Sequence, residues 1–229
     1  MRRAFQHVLV ELLYHAPFTA LGTLVGVILA VVLTFNLSLE GIRRLSDLFF
    51  HVAHPLHLFL SALVTSAVYY RHVRRLEASL LIGVVGAVGI CAASDAFIPY
   101  VGGTLLGVSL KLHICLLIHP HVVIAPSIVG SLVGVLLAKN HPHPSLLPHG
   151  GHVLISVAAS LLYFMAYGFS ILSHLASIFL VVFIAVLIPC CTSDIVLPSA
   201  LTPMEASHEA CLTIHPLKLK RGHKAKPKT

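Results

Sequence analysis

Residues 91–99 read C-A-A-S-D-A-F-I-P, and residues 190–198 read C-C-T-S-D-I-V-L-P. Both are Cys-x-x-Ser-Asp-x-x-x-Pro, and each closes a long apolar run. An Asp in such a run is costly, roughly 2.5–3.5 kcal/mol at the centre of a membrane helix. A core-packing preference alone does not explain why the same Cys, Ser, Asp and Pro occur twice.

A second pattern precedes each copy. His54, His57, Ser61 and Thr65 have the same spacing as His149, His152, Ser156 and Ser160. At the helical advance per residue, each set falls within roughly 80° and forms one polar stripe. A third match, G-T-L-V-G-V at 22–27 and G-S-L-V-G-V at 130–135, follows an Ala-Pro pair each time. The three matches keep their order, so the chain reads as an internal duplication. The expected units are a first membrane repeat at 15–103, a connector at 104–121, a second repeat at 122–200 and a basic tail at 201–229.

Composition sets the class. The chain has 229 residues, 57% of them hydrophobic and only 10% charged, where a soluble domain has about 25% charged. The expectation is an all-α integral membrane protein with about six transmembrane helices, near 17–35, 50–70, 78–98, 122–138, 151–169 and 171–191. Residues 36–50 read as a separate interfacial helix with Leu39, Ile42, Leu45 and Phe49 on one side. Pro99 and Gly102-Gly103 read as the break that ends the third span. The connector 104–121 reads as re-entrant or interfacial, because Lys111 and His113 sit in its middle.

Charge supports that topology. With six spans, Arg2, Arg3, Arg71, Arg74, Arg75, Lys139 and the lysines of the tail share one side, which the positive-inside rule makes cytoplasmic. Both termini are then expected in the cytoplasm. The net charge of +7 sets orientation, and no nucleic-acid partner is expected. Three spans per repeat place the second repeat upside down relative to the first, the inverted-repeat construction of many secondary transporters.

The duplicated residues define the expected chemistry. His54, His57, Cys91 and Asp95 are expected to form an outer metal site, and His149, His152, Cys190 and Asp194 an inner one. Ser61, Thr65, Ser94, Ser156, Ser160 and Ser193 line the path between them. His, Cys and carboxylate donors suit Zn²⁺, Fe²⁺, Co²⁺, Ni²⁺ or Mn²⁺. Mg²⁺ and Ca²⁺ want more carboxylates than eight Asp and Glu can give. The expected function is therefore transport of a divalent transition-metal ion, as cargo or ligand, by alternating access in the lipid bilayer. A homodimer is compatible with six short spans. Cys115 and Cys211 carry no expected role, and the dispersed His are expected to gather ions at the two mouths.

Other readings stand beside this one. Ser-Asp before Pro can cap a helix or fasten a bundle by hydrogen bonds, which would make a non-transporting subunit or sensor. A di-iron membrane enzyme would need compact His boxes on one face, and the chain has no His-His doublet. No P-loop, Gly-x-Ser-x-Gly elbow or His-Glu-x-x-His helix occurs, so no enzymatic activity is expected.

Overall fold

The computed structural model describes residues 2–107, 110–140, 146–167 and 171–201. The described residues are helical, joined by short turns. Helix α1 is Arg2–Asn36 and α2 is Leu39–Val73. Helix α3 is Leu76–Leu105, and α4 is Pro120–Asn140. Helix α5 is Leu146–Ala166, and α6 is Leu175–Val196. The tail from residue 202 onward, with Cys211, lies outside the described residues.

Five of these helices are long and apolar enough to cross a membrane: Leu12–Asn36, Leu39–Val73, Leu76–Leu105, Pro120–Asn140 and Leu175–Val196. The shorter apolar stretch Gly150–Ala166 completes the bundle. Apolar side chains cover the outside: Leu21 and Leu81 are 60% and 64% exposed. Polar side chains fill the inside, where His57, Ser61, Thr65, Asp95, Ser156 and Asp194 are wholly buried. Such an inside-out distribution suits a bundle whose solvent is hydrocarbon.

Two sequence expectations are corrected. Residues 36–50 do not form a helix of their own. Ser38 caps α2 by accepting from the Gly41 N–H at 3.2 Å, and the helix then runs unbroken through Pro55 to Val73. At 35 residues it spans about 52 Å, well beyond the hydrocarbon core of about 30 Å. Nor does Pro99 end α3. Pro99 and Pro198 lie four residues after Asp95 and Asp194, so each removes the N–H that would bond that Asp carbonyl in an α-helix. The ladder shifts register instead, through π turns at Gly86–Cys91 and Ala93–Phe97 in α3 and at Thr192–Val196 in α6. The chain stays helical to Leu105. Past that end, Gly107 adopts the left-handed conformation at φ 78°.

Within the connector, residues 111–114 are non-helical and Cys115–Ile118 makes a single helical turn. Tyr163 of α5 ties it down by donating to the Lys111 carbonyl at 2.8 Å.

The halves of the chain interlock. The two Gly-x-x-x-Gly pairs each pack against the second helix of the other half. A Cβ on Gly26 of α1 would meet Leu161 and Val157 of α5 at 2.7 and 3.0 Å. One on Gly130 or Gly134 of α4 would run into the carbonyls of Phe59 and Leu63 of α2. These close approaches seat α1 on α5 and α4 on α2.

Candidate metal centre

The polar stripe of α2 faces the polar stripe of α5 in the middle of the bundle, and the two π-turn segments close around them. His57 Nε2 lies 2.7 Å from His152 Nε2, with the rings stacked at 4.6 Å between centroids. Cys91 Sγ is 3.7 Å from His152 Nε2, and Cys190 Sγ is 3.6 Å from His57 Nε2. The donor atoms of His57, Cys91, His152 and Cys190 all lie within 4.8 Å of one another, and all four residues are buried. Together they could hold a metal ion. Two imidazoles and two thiols are the donor set of a tetrahedral Cys₂His₂ site.

The carboxylates sit one shell further out. His57 Nδ1 donates to Asp95 Oδ2 at 2.7 Å, and His152 Nδ1 to Asp194 Oδ2 at 2.6 Å. Each Asp thus holds one ring so that Nε2 points to the centre, the arrangement by which carboxylates orient metal-ligating His. With both Nδ1 protons engaged, the two Nε2 atoms present lone pairs to each other. A contact of 2.7 Å then needs a proton on one of them, or a cation shared by the four donors. Asp95 Oδ2 also accepts from His54 Nδ1 at 2.8 Å.

The hydroxyls knit the two halves together in matched pairs. Ser61 bonds the Cys91 sulfur at 3.0 Å, and Cys190 donates to Ser156 at 3.5 Å. Ser61 meets Ser193 at 3.2 Å, as Ser156 meets Ser94 at 3.3 Å. Thr65 donates to the Ser193 carbonyl at 3.2 Å, as Ser160 donates to the Ser94 carbonyl at 3.1 Å. Thr65 and Ser156 also reach the other half's carboxylate, Asp194 at 3.2 Å and Asp95 at 3.3 Å. Gly86 makes room for this weave, because a Cβ there would lie 2.7 Å from Ser193 Oγ.

The sequence-derived grouping into an outer and an inner site is therefore corrected. His54, His57, Cys91 and Asp95 do not stand apart from His152, Cys190 and Asp194. They form one cluster, and the His–Cys contacts at 3.7 and 3.6 Å run between the halves. Asp95 and Asp194 are placed against Nδ1 atoms, outside the four-donor group. His149 lies in α5, and its side chain is outside the described residues.

A second group lies among the His expected only to gather ions, together with Cys115, for which no role is expected from the sequence. His51, His113 and Cys115 bring one donor atom each within 4.8 Å of one another, at the end of the bundle where the connector meets α2. Burial, then the nearby His51, keeps the His113 imidazole below its ordinary value. Burial pushes the Cys115 thiol up to about 11. Nothing in the spacing of these residues marks them, since a non-helical stretch brings His113 and Cys115 to α2.

Comparison of the chain with protein-family models, curated proteins and solved structures finds no match. Its function is read from its own residues.

Proposed function

We propose that the protein is a membrane transporter of a divalent transition-metal ion, Zn²⁺ before Fe²⁺, Co²⁺, Ni²⁺ or Mn²⁺, working by alternating access between two inverted repeats. The observation that carries this reading is the composition of the four-donor cluster. His57 and Cys91 come from the first half of the chain, His152 and Cys190 from the second, and all four are buried at the seam. A site shared between repeats near mid-bundle is where transporters of this construction bind their cargo. Tilting one half against the other would pull two donors away from the other two. A four-coordinate ion would become two-coordinate, and its affinity would fall on the side that opens. The buried arrangement corresponds to the closed stage of that cycle. The hydroxyls of Ser61, Thr65, Ser94, Ser156, Ser160 and Ser193 offer weaker oxygen donors along the same seam. The basic residues at 71–75 and in the tail favour cytoplasmic termini.

One observation favours a second reading. The donor set is complete, and carboxylates hold both imidazoles, features of sites that retain their metal. Such a protein would be a sensor, or a membrane subunit with a resident ion.

Ion flux separates the two. Purified protein in liposomes is offered Zn²⁺, Fe²⁺, Co²⁺, Ni²⁺ and Mn²⁺ in turn, beside the Cys91→Ser/Cys190→Ser variant. Saturable uptake of one or two ions that vanishes in the variant is the expected result. Tight retention of metal with no flux would replace transport with the resident-ion reading.

A further inference from the structure

The group at the connector end of α2 has the marks of a binding site in its own right. His51 Nδ1 donates to the Asp47 carbonyl at 2.8 Å, one turn back on the same helix. That bond fixes the tautomer and leaves Nε2 as the nitrogen with a free lone pair. His113 Nε2 is buried and has no hydrogen-bond partner among the described residues. A buried, unpartnered ring nitrogen is unfavourable, and a ligand there would satisfy it. The ring is held edge-on to His51 at 5.3 Å and stacks on Tyr167 at 5.5 Å. Tyr167 in turn donates to Asp47 Oδ1 at 3.4 Å. Cys115 is buried beside them on the one-turn helix.

The setting differs from the centre in two respects. Only three donors converge, and the His51 side chain is 32% exposed, beside an Asp47 side chain that is 53% exposed. The same helix links the two groups. Phe50, wholly buried, stacks on His54 at 5.3 Å and meets His113 edge-on at 6.1 Å. His54 then shares Asp95 with His57.

We propose that His51, His113 and Cys115 form a second metal site for a divalent cation of the Zn²⁺ type, with its fourth position left to water. Three protein donors with one position open distinguish an exchangeable site from a closed structural one. The site rests on its own donors and does not require transport at the central cluster. Where transport holds, it is the place at which an ion loads before passing Phe50 and His54.

Equilibrium dialysis of the purified full-length chain against Co²⁺ tests this, with bound metal counted at a fixed free concentration and thiolate–Co²⁺ absorption followed. Wild type is expected to hold two ions. Cys115→Ser and His113→Gln are each expected to hold one, and that one is lost when Cys91→Ser is added. Two ions in wild type and two in Cys115→Ser would overturn the proposal. So would one ion in wild type that Cys115→Ser leaves in place, a result that keeps the central site. One ion that is lost in Cys115→Ser but kept in Cys91→Ser/Cys190→Ser would support this site and overturn the central one. Should wild type hold two ions and Cys115→Ser none, His113→Gln decides by the same criterion, because it keeps a polar side chain of similar size.

Discussion

The first half of the cluster and the second are built alike but packed differently. On each side a His gives Nε2 to the centre, a Cys stands opposite the other half's His, and an Asp holds Nδ1. Asp95 accepts from two rings, His54 and His57, through one oxygen, while Ser94 and Ser156 occupy the other. The packing beneath differs between the halves. Gly130 and Gly134 of α4 lie against the α2 backbone, whereas Gly26 of α1 lies against the α5 side chains. The matched donors are what a four-donor metal site would ask of each half. The glycine contacts are where the scaffold of the two halves differs.

The largest effect is expected from removing a thiol. Cys91→Ser and Cys190→Ser should each lower Zn²⁺ affinity equally, by more than the roughly 100-fold that marks loss of an outer partner. Competition with a chelator of known affinity measures it, and a large inequality between the two would mean that one Cys is not a donor. Asp95→Asn and Asp194→Asn come next. Each should cost about 10–100-fold in metal affinity, since the ring it orients loses its carboxylate acceptor. Normal affinity in either variant would show that its carboxylate does not orient a ligand.

The packing difference predicts an asymmetry in stability. Gly130→Ala should lower the unfolding free energy in detergent by about 1–3 kcal/mol, because the new methyl meets a carbonyl that cannot move aside. Gly26→Ala should cost less, since Leu161 and Val157 can change rotamer. Equal shifts in the unfolding temperature would show that the helix contacts are equivalent after all. The smallest effect is expected from Ser61→Ala and Ser156→Ala. Each removes a hydroxyl from a sulfur contact and should cost about 1 kcal/mol of stability with little change in metal affinity.

Much of this was legible beforehand, and particular residues show why. The stripe His54, His57, Ser61, Thr65 lies on one face because helical periodicity is a property of the segment alone. The Pro that follows each Asp by four residues marked an irregular backbone, although the chain met it with π turns rather than a break. The span count was harder to read. The Leu39–Val73 helix absorbed a stretch whose amphipathic pattern read as separate, because Ser38 caps it and nothing between Ser38 and Pro55 stops it. The His51, His113 and Cys115 group was invisible, since two of its members lie on a segment without periodicity.

The apolar class of the chain, the polar stripes and the doubled His, Cys and Asp residues could be read from the sequence alone. These follow from composition and from the helical repeat, which act within a segment. Only the tertiary structure decided that two expected sites are one. That outcome depends on which helix faces which across the bundle. The deciding contacts join residues far apart in the chain, such as Gly130 on the Phe59 carbonyl, and no local pattern records them.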